Sequence, residues 1–346
     1  MLSCPTDLLP ASEIVILPEF VEGEELRLFP NANSSSLAEQ SALTCTIVKA
    51  FRPFTLSPVL LVLLAQPSTP APDQVSQPTT AILKLYDRRC LTNTRDDFDE
   101  GAPWSLDKER EYRQYLDDVA NSAVARGDFA SPTFIWDNEV SDGEFEAYLQ
   151  SQAQKMFNAE RTVYERLHTL QGKKVPKLYG VVEHEITIPN ARGDESTVKE
   201  TVPGLLLEYV SGLTLRQLVA TWKSRDPLLP NSILASLCEE AVRVVDSVSD
   251  FNVLNEDVRI DNFLIREPFV GATSAIVKDA VVHIDFGQSR LRREDESEDD
   301  WVQAKWSQDE TGAAAFVALG LIREFVGDDV WSYQKSLRYY RPLKAE

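Results

Sequence analysis

Two short segments of this chain are the most informative: Asp257-Val258-Arg259-Ile260-Asp261-Asn262 and, further along, Asp285-Phe286-Gly287. Both segments place carboxylate and amide side chains among residues that are otherwise Leu, Ile, Val and Phe. Magnesium is a hard cation that takes oxygen ligands and keeps some of its waters, so one or two carboxylates and an amide oxygen suffice to hold it. Asp285 and Asn262 have the chemistry for this role. The pattern therefore predicts a magnesium site.

The composition is that of an ordinary globular protein with a strong negative charge. Of the 346 residues, 43% are hydrophobic and 26% are charged, and the formal net charge is −20. The length is sufficient for two lobes, each with its own core. Because phosphate-rich surfaces would be repelled overall, we expect neither non-specific binding of nucleic acid nor attachment to anionic membranes.

Cysteine usage and the N-terminal sequence indicate the compartment. The four cysteines are scattered without Cys-x-x-Cys spacing, which favours free thiols in a reducing environment and no zinc site. The N-terminus lacks a basic segment followed by an apolar run, so no signal peptide is expected. The most apolar stretch, 56–65, has about half the length that a membrane-spanning helix needs. We expect an intracellular protein, cytoplasmic or nuclear, without membrane insertion.

The order of predicted elements is that of an α+β protein. Apolar periodicity predicts strands at 43–50, 58–65, 81–86, 178–188 and 202–210, and a long helix at 143–170. Later residues are mainly helical, as at 233–248 and 311–326, with short strands near 263–265 and 281–284. We predict an N-terminal arm (1–40), a β-rich N-lobe (41–210) with a helical insertion at about 88–142, and a reduced helical C-lobe (211–346). The hinge would lie near Ser211-Gly212.

Phosphoryl transfer is a reaction that the two motifs would support. It requires that the charge of the triphosphate be neutralised and that an acceptor hydroxyl be aimed in line. Asp257 would orient that hydroxyl and accept its proton. Arg259 would place a fixed cation at the transferring phosphate, unless it pairs with Asp261 instead.

The two motifs resemble those of the protein-kinase-like superfamily, and the resemblance covers roughly residues 43–320. The catalytic loop of that family reads His-Arg-Asp with an Asn five residues on; here it reads Asn255-Glu256-Asp257 with Asn262, and Asp285-Phe286-Gly287 is intact. The chain is most similar to divergent kinase-like proteins of fungi, related to atypical protein kinases and to the aminoglycoside-phosphotransferase type. The resemblance implies a bilobal fold that binds ATP and Mg²⁺ between its lobes.

The resemblance extends upstream to the residues that would hold the phosphates. Ala81-Ile82-Leu83-Lys84 is similar to the third-strand motif of the family, which implies that Lys84 contacts the α- and β-phosphates. A solvent-facing lysine on an edge strand is the alternative. Glu160 is the best match for the carboxylate that holds this lysine. Other glutamates of the same predicted helix are Glu144, Glu146 and Glu165.

A hinge-like segment would bind the base of the nucleotide. Leu207-Glu208-Tyr209-Val210 resembles the segment that joins the two lobes in the family. The resemblance implies that the Glu208 carbonyl and the Val210 amide bind adenine, with Leu264 beneath the ring.

Three departures from the family weaken an assignment as a protein kinase. The turn that should cover the phosphates has no glycine, so Thr55 or Ser57 would have to contact them, or the segment is a plain β-turn built on Pro53. Asn255 replaces the histidine of the catalytic loop; in the family that residue mainly props up the loop and the Asp-Phe-Gly backbone, a role that an amide can also fill. Few residues follow Gly287, and no Ala-Pro-Glu closes an activation segment.

Three functions remain consistent with the sequence. The first is a phosphotransferase that moves the γ-phosphate of ATP to a hydroxyl of a protein Ser/Thr or of a small molecule. The second is a pseudokinase, a nucleotide-binding or scaffolding module; Asn255 favours it, whereas the presence of Asp257, Asn262, Asp285 and Lys84 argues against it. The third is an interaction protein that acts through the acidic insertion.

Overall fold

The computed structural model describes residues 20–31, 42–65, 80–98, 103–125, 127, 129, 133–137, 139–189, 197–225, 229–266 and 279–341. The chain divides into two compact units. Unit 1 comprises Met1–Lys155 and Gly180–Leu206, and unit 2 comprises Met156–Tyr179 and Leu207–Glu346. Helices and strands occur in both units, which confirms the α+β class.

Unit 1 is built on a six-stranded sheet that closes on itself. Its strands are β1 (Glu25–Pro30), β2 (Leu43–Ala50), β3 (Val59–Leu64), β4 (Thr80–Leu85), β5 (Leu178–Pro189) and β6 (Thr197–Glu208). They follow the order β1-β2-β3-β4-β6-β5, and β1 pairs with β5 to complete the ring. Alternate residues of β3, namely Leu60, Val62 and Leu64, are buried, as expected for a strand with one face on a core. The five strands predicted between residues 43 and 210 are confirmed, with small shifts at their ends.

Strand β1 corrects the prediction that residues 1–40 form a loosely ordered arm. Leu26 and Leu28 are buried between more exposed neighbours, so this segment has the alternation of a half-buried strand. Phe20 is also fully buried, and its ring packs edge-on against Phe54. The alternation is short and ends at a proline, which hides the strand in the sequence. The rest of the predicted arm, residues 1–19 and 32–41, lies outside the described residues.

The predicted insertion at 88–142 is helical where it is described. It contains α1 (Thr92–Phe98), α2 (Leu106–Ala120) and α3 (Thr133–Asp137), and α4 (Asp142–Arg166) follows. The buried guanidinium of Arg88 donates to Glu109 at 2.5 Å and to Glu146 at 2.6 Å. These ion pairs join α2 to the start of α4. The two glutamates are therefore internal and contribute nothing to an acidic interaction surface.

The division of the chain differs from the predicted boundary near Ser211-Gly212, because the end of α4 and the segment after it belong to unit 2. Gly212 has another role, as the first residue of the short strand β7 (Gly212–Thr214). A Cβ atom at this position would lie 1.9 Å from the carbonyl oxygen of Ile265, so only glycine allows this close approach of two strands.

Unit 2 has a helical core and several short strands. The helices are α5 (Leu215–Thr221), α6 (Asn231–Ser249), α7 (Glu298–Gln308) and α8 (Glu310–Phe325), and the strands after β7 are β8 (Val253–Asn255), β9 (Phe263–Arg266), β10 (Val281–His283) and β11 (Ser289–Leu291). The apolar face of α6 packs in one core with the alanine-rich face of α8. Both helices confirm predictions. Helix α7 begins within the acidic stretch 293–300; Ser297 caps this helix, and three acidic residues occupy its first turn.

None of the helices in the described part of the chain is both long enough and apolar enough to cross a membrane.

Candidate functional site

Two antiparallel strand pairs of unit 2 bring the predicted motifs together. Strand β9 begins directly after Asn262 and β10 ends two residues before Asp285, and Phe263 in β9 lies opposite His283 in β10. Beyond the pair, the Ile284 N–H donates to the Asn262 carbonyl at 2.8 Å. Because the start of one strand meets the end of the other, Asn262 and Asp285 are neighbours.

The second strand pair closes the other end of the motifs. Strand β8 precedes Asp257 and β11 follows Gly287, with Asn255 opposite Ser289. The Glu256 N–H donates to the Gln288 carbonyl at 2.9 Å. The segment that carries Asp257 is thus held at both ends against the segment that carries Asp285.

Asn255 links the two segments directly through its side chain, which is fully buried. Its Oδ1 accepts the Asp257 N–H at 2.9 Å, and its Nδ2 donates to the Asp285 carbonyl at 3.3 Å. The side-chain amide therefore uses both its acceptor and its donor on the backbone of the two predicted motifs. This is the propping role that the resemblance assigned to the family's histidine.

The carboxylate of Asp257 has two partners in its own neighbourhood. Arg259 Nε donates to Oδ1 at 2.5 Å, and Gln288 Nε2 approaches Oδ2 at 3.4 Å. The alternative pairing of Arg259 with Asp261 does not occur, because Asp261 binds Arg216 through both carboxylate oxygens at 2.9 Å. Arg259 is more than half exposed, so its contact with Asp257 is a surface ion pair that ligands can rearrange.

Asn262 and Asp285 present oxygen atoms that fit magnesium. Asn262 Nδ2 donates to the Asp257 carbonyl at 3.0 Å, which leaves its Oδ1 as the atom available to a cation. Asp285 has a φ of +67°, a left-handed conformation that is uncommon for a residue with a side chain. Outliers of this kind persist where the surroundings fix them, and they are found often at functional sites. One carboxylate and one amide oxygen match a metal that takes its remaining ligands from phosphates and water.

Glu160 is the glutamate of α4 that lies beside the second motif. A Cβ atom placed on Gly287 would lie 3.4 Å from Glu160 Oε2 and 3.7 Å from Asp285 Oδ1. Glu160 is 1% exposed. The other glutamates of α4 are used elsewhere or are exposed: Glu144 bonds Ser141, Glu146 pairs with Arg88, and Glu165 faces solvent near Arg161.

A column of aromatic rings lies behind this carboxylate. The ring of Tyr164, one turn along α4 from Glu160, is 5.6 Å from that of Phe286; His283 follows at 4.9 Å and Phe263 at a further 4.6 Å. Burial lowers the pKa of His283 to about 4, against the opposing effect of Asp285, so the imidazole is neutral and packs as an aromatic ring. Burial also raises the pKa of Tyr164.

The predicted hinge lies at the end of β6. The Glu208 N–H donates to the Lys177 carbonyl at 2.8 Å, and the Glu208 carboxylate accepts from Arg266 Nη1 at 2.8 Å and from the Lys177 N–H at 3.0 Å. These contacts fix the backbone just before Val210, which is buried. Leu264 lies in the middle of its sheet, opposite Thr214 and Val282.

Lys84, Thr55 and Ser57 belong to unit 1. Lys84 is 8% exposed in β4, which excludes the alternative of a solvent-facing edge lysine. The turn with Thr55 and Ser57 contains a cis peptide bond before Pro53. It is tied to the start of α1, because Thr92 Oγ1 donates to the Phe54 carbonyl at 2.7 Å and the Asn93 N–H donates to that of Thr55 at 3.1 Å.

An ion pair beside Asn255 was missed by reasoning from sequence. Glu310 Oε1 accepts the Asn255 N–H at 2.8 Å, and its Oε2 binds Lys305 Nζ. Lys305 is 2% exposed and also donates to Ser249 Oγ and to the Val253 carbonyl, each at 2.8 Å. Charged residues at helix ends are usually solvated, so the sequence contains no direct signal for this burial. The nearest indication is that Glu310 begins a helix that is otherwise mostly apolar.

Comparison with known proteins gives weak similarities. No protein-family model matches the chain, and no curated protein matches it. Among solved structures it is similar to the ROP18 kinase domain in complex with AMP-PNP and sucrose, with 11% identity, a TM-score of 0.41, and coverage of 81% of this chain and 60% of that one. For the BubR1 kinase domain the identity is 10% and the TM-score 0.38, with coverage of 80% of this chain and 54% of that one. For WaaP in complex with acyl carrier protein the identity is 13% and the TM-score 0.37, with coverage of 79% of this chain and 71% of that one. The chain thus spans less than two thirds of the first two. At TM-scores this low, the similarities carry no argument about function.

Proposed function

We propose that this protein is a phosphotransferase of the protein-kinase-like type, which transfers the γ-phosphate of ATP to a hydroxyl acceptor with the help of magnesium. The observation that carries the proposal is the buried amide of Asn255, bonded to the backbone of Asp257 on one side and of Asp285 on the other. Burying a polar side chain is unfavourable unless its hydrogen bonds are satisfied, and Asn255 satisfies its own on the backbone of the two motifs. We take this bridge as support for a site that uses both motifs.

In the proposed reaction, the polar residues of the two motifs have separate tasks. Asp285 and the Oδ1 atom of Asn262 would hold magnesium, which when bound neutralises charge on the phosphates. Asp257 would orient the acceptor hydroxyl and take up its proton. Arg259 would leave Asp257 for the transferring phosphate, an exchange that is inexpensive because the guanidinium is already largely hydrated.

The remaining assignments are part of the same proposal. Lys84 would contact the α- and β-phosphates, and Glu160 would be the carboxylate that orients it. Glu208 and Val210 would bind adenine through backbone atoms, with Leu264 beneath the ring. The described residues support the adenine site in one respect: the N–H of Val210, just beyond β6, has no hydrogen-bond partner among them. Thr55 and Ser57 would contact the phosphates. The acceptor is a protein Ser/Thr or a small molecule.

A pseudokinase is the second candidate, and one observation favours it. The carboxylate that should accept a proton is already bonded to Arg259 at 2.5 Å. If that pair persists when nucleotide binds, the Oδ1 atom of Asp257 stays occupied by Arg259 and the site binds ATP without transferring phosphate.

Two measurements separate these functions. Magnesium and ATP together should raise the melting temperature, because a ligand of the folded state stabilises it; no shift at millimolar nucleotide would exclude both ATP-binding functions. Labelled ATP should then be incubated with wild type, Asp257→Asn and, as a matched control, Asp261→Asn. An enzyme loses phosphate release or autophosphorylation only with the change at Asp257, and equal rates in all three proteins exclude transfer by this site.

A further inference from the structure

The segment that follows Asp285-Phe286-Gly287 is short and folds around one carboxylate. Residues 288–297, which include β11, separate the motif from α7, and three arginines lie among them: Arg290, Arg292 and Arg293. Glu296 is the acidic residue at their centre, and it is 8% exposed. The neighbouring Asp295 side chain, by contrast, is almost fully solvated.

All three arginines hold Glu296, each in a different way. Arg290 donates to both carboxylate oxygens, from Nη1 and Nη2, at 2.8 Å each. The Arg293 N–H donates to Oε2 at 3.1 Å, and Arg292 Nη2 donates to the Glu296 carbonyl at 3.2 Å. A bidentate guanidinium–carboxylate pair is among the strongest and most directional contacts available to side chains. Arg292 has a second anion in Glu298, at 2.6 Å, and the Arg293 side chain is largely exposed, so loss of the carboxylate would affect Arg290 most.

Arg290, which binds Glu296, also contacts the residues that precede Asp257. Arg290 lies in β11 opposite Leu254, and its Nε is 3.7 Å from the carboxylate of Glu256. Glu256 is bonded through its N–H to the Gln288 carbonyl, and the Gln288 side chain reaches Asp257 Oδ2. The Arg290 guanidinium also packs over the ring of Trp301 in α7.

We propose that Glu296 is a positioning residue for Asp257: a permanent anion that folds the segment after Gly287 and so holds β11 against the loop that precedes Asp257. This inference rests on the proposed function. It has a regulatory consequence, because an arginine cluster that already contains its anion needs no added negative charge, such as a phosphorylated residue, to become ordered. The site would therefore be constitutively assembled.

The test compares Glu296→Gln with Glu296→Asp and with Asp295→Asn, which removes the same charge from the adjacent, solvated position. We expect Glu296→Gln to lower kcat at least about tenfold, the effect of losing a charge-assisted bidentate pair. KM for ATP and the melting shift with magnesium–ATP should stay at wild-type values. Glu296→Asp should recover part of kcat, and Asp295→Asn should match wild type. An unchanged kcat, or equal loss of kcat and of nucleotide binding, would overturn the inference.

Hydrogen exchange tests the positioning independently of activity, so failure of the proposed function and failure of this inference can be told apart. In Glu296→Gln, the Glu256 amide, which bonds Gln288 across β8 and β11, should exchange about tenfold faster. The Ile284 amide, which belongs to the β9–β10 pair, should exchange at the wild-type rate. Unchanged exchange at Glu256, or equal acceleration at both amides, would show that Glu296 does not act on the loop.

Discussion

The ion pair of Lys305 and Glu310 offers the sharpest prediction about stability. Replacing Lys305 by Met keeps the length and apolar stem of the side chain but removes the cation, which leaves the Glu310 carboxylate buried with the Asn255 N–H as its remaining bond. Breaking a buried pair from one side costs about 3–5 kcal/mol, since the other charge stays desolvated. For a unit of this size, that corresponds to a fall in melting temperature of about 6–20 °C.

The companion changes identify the cause. Glu310→Gln keeps an oxygen for the Asn255 N–H but leaves Lys305 charged, so it should destabilise by a similar amount. The double variant Lys305→Met/Glu310→Gln has neither charge and should be more stable than either single variant, because no unpaired ion remains.

Denaturant unfolding provides the assay for these variants. Trp222, Trp301, Trp306 and Trp331 all lie in unit 2 and report its unfolding by fluorescence. The reasoning is refuted if Lys305→Met costs less than about 1 kcal/mol, the range of a solvated pair. It is equally refuted if the losses of the two single variants simply add in the double variant, since independent sites behave in that way.

Three further outcomes are expected. Asn255→Leu should abolish phosphate transfer and Asn255→His should retain part of it, measured with labelled ATP, since only the polar replacement can bond the loop backbone; equal activity of the two variants would contradict the bridging role. Gly212→Ala should lower the urea midpoint markedly, because its Cβ would overlap the Ile265 carbonyl, and an unchanged midpoint would contradict this packing. Hydrogen bonds from Arg290, with those of the Arg293 backbone, lower the pKa of Glu296 from 4.5 to about 2. A carboxyl with a lowered folded-state pKa stabilises fully above about pH 4.5 and loses this effect as the pH falls towards 2, so the stability gap between wild type and Glu296→Gln should close over that window in acid unfolding; a constant gap would contradict the pKa shift.

Much of unit 1 could be predicted from the sequence, because most of its strands are clear runs of apolar residues. Strand β2 was predicted with the observed bounds, and its buried residues Leu43, Cys45 and Ile47 alternate with more exposed ones. Strand β1 was not, because its alternation covers few residues and ends at Pro30. The strand depends on partners far away in the chain, and single-sequence patterns do not record such pairing.

Reasoning from sequence named the residues of the candidate site, but it did not find the buried ion pair that lies next to them. The resemblance of the two motifs to those of the kinase-like superfamily implied that Asp257, Asn262 and Asp285 converge, and the two strand pairs of unit 2 bring the segments that carry them together. The burial of Lys305 and Glu310 was not predictable, because helix-end charges look alike in sequence whether they are solvated or buried. The roles of the residues in catalysis stay predictions.

Closure of the six-stranded sheet has a consequence for how much of the N-terminal region the protein can lose. Strand β1 pairs with β2 on one side and with β5 on the other, so its removal would leave unpaired N–H and C=O groups on both of these strands. Exposed edges of this kind template pairing between chains and lead to aggregation. A proteolytic cut or a truncation between Pro30 and Leu43 would therefore endanger solubility before it touched any residue of the candidate site.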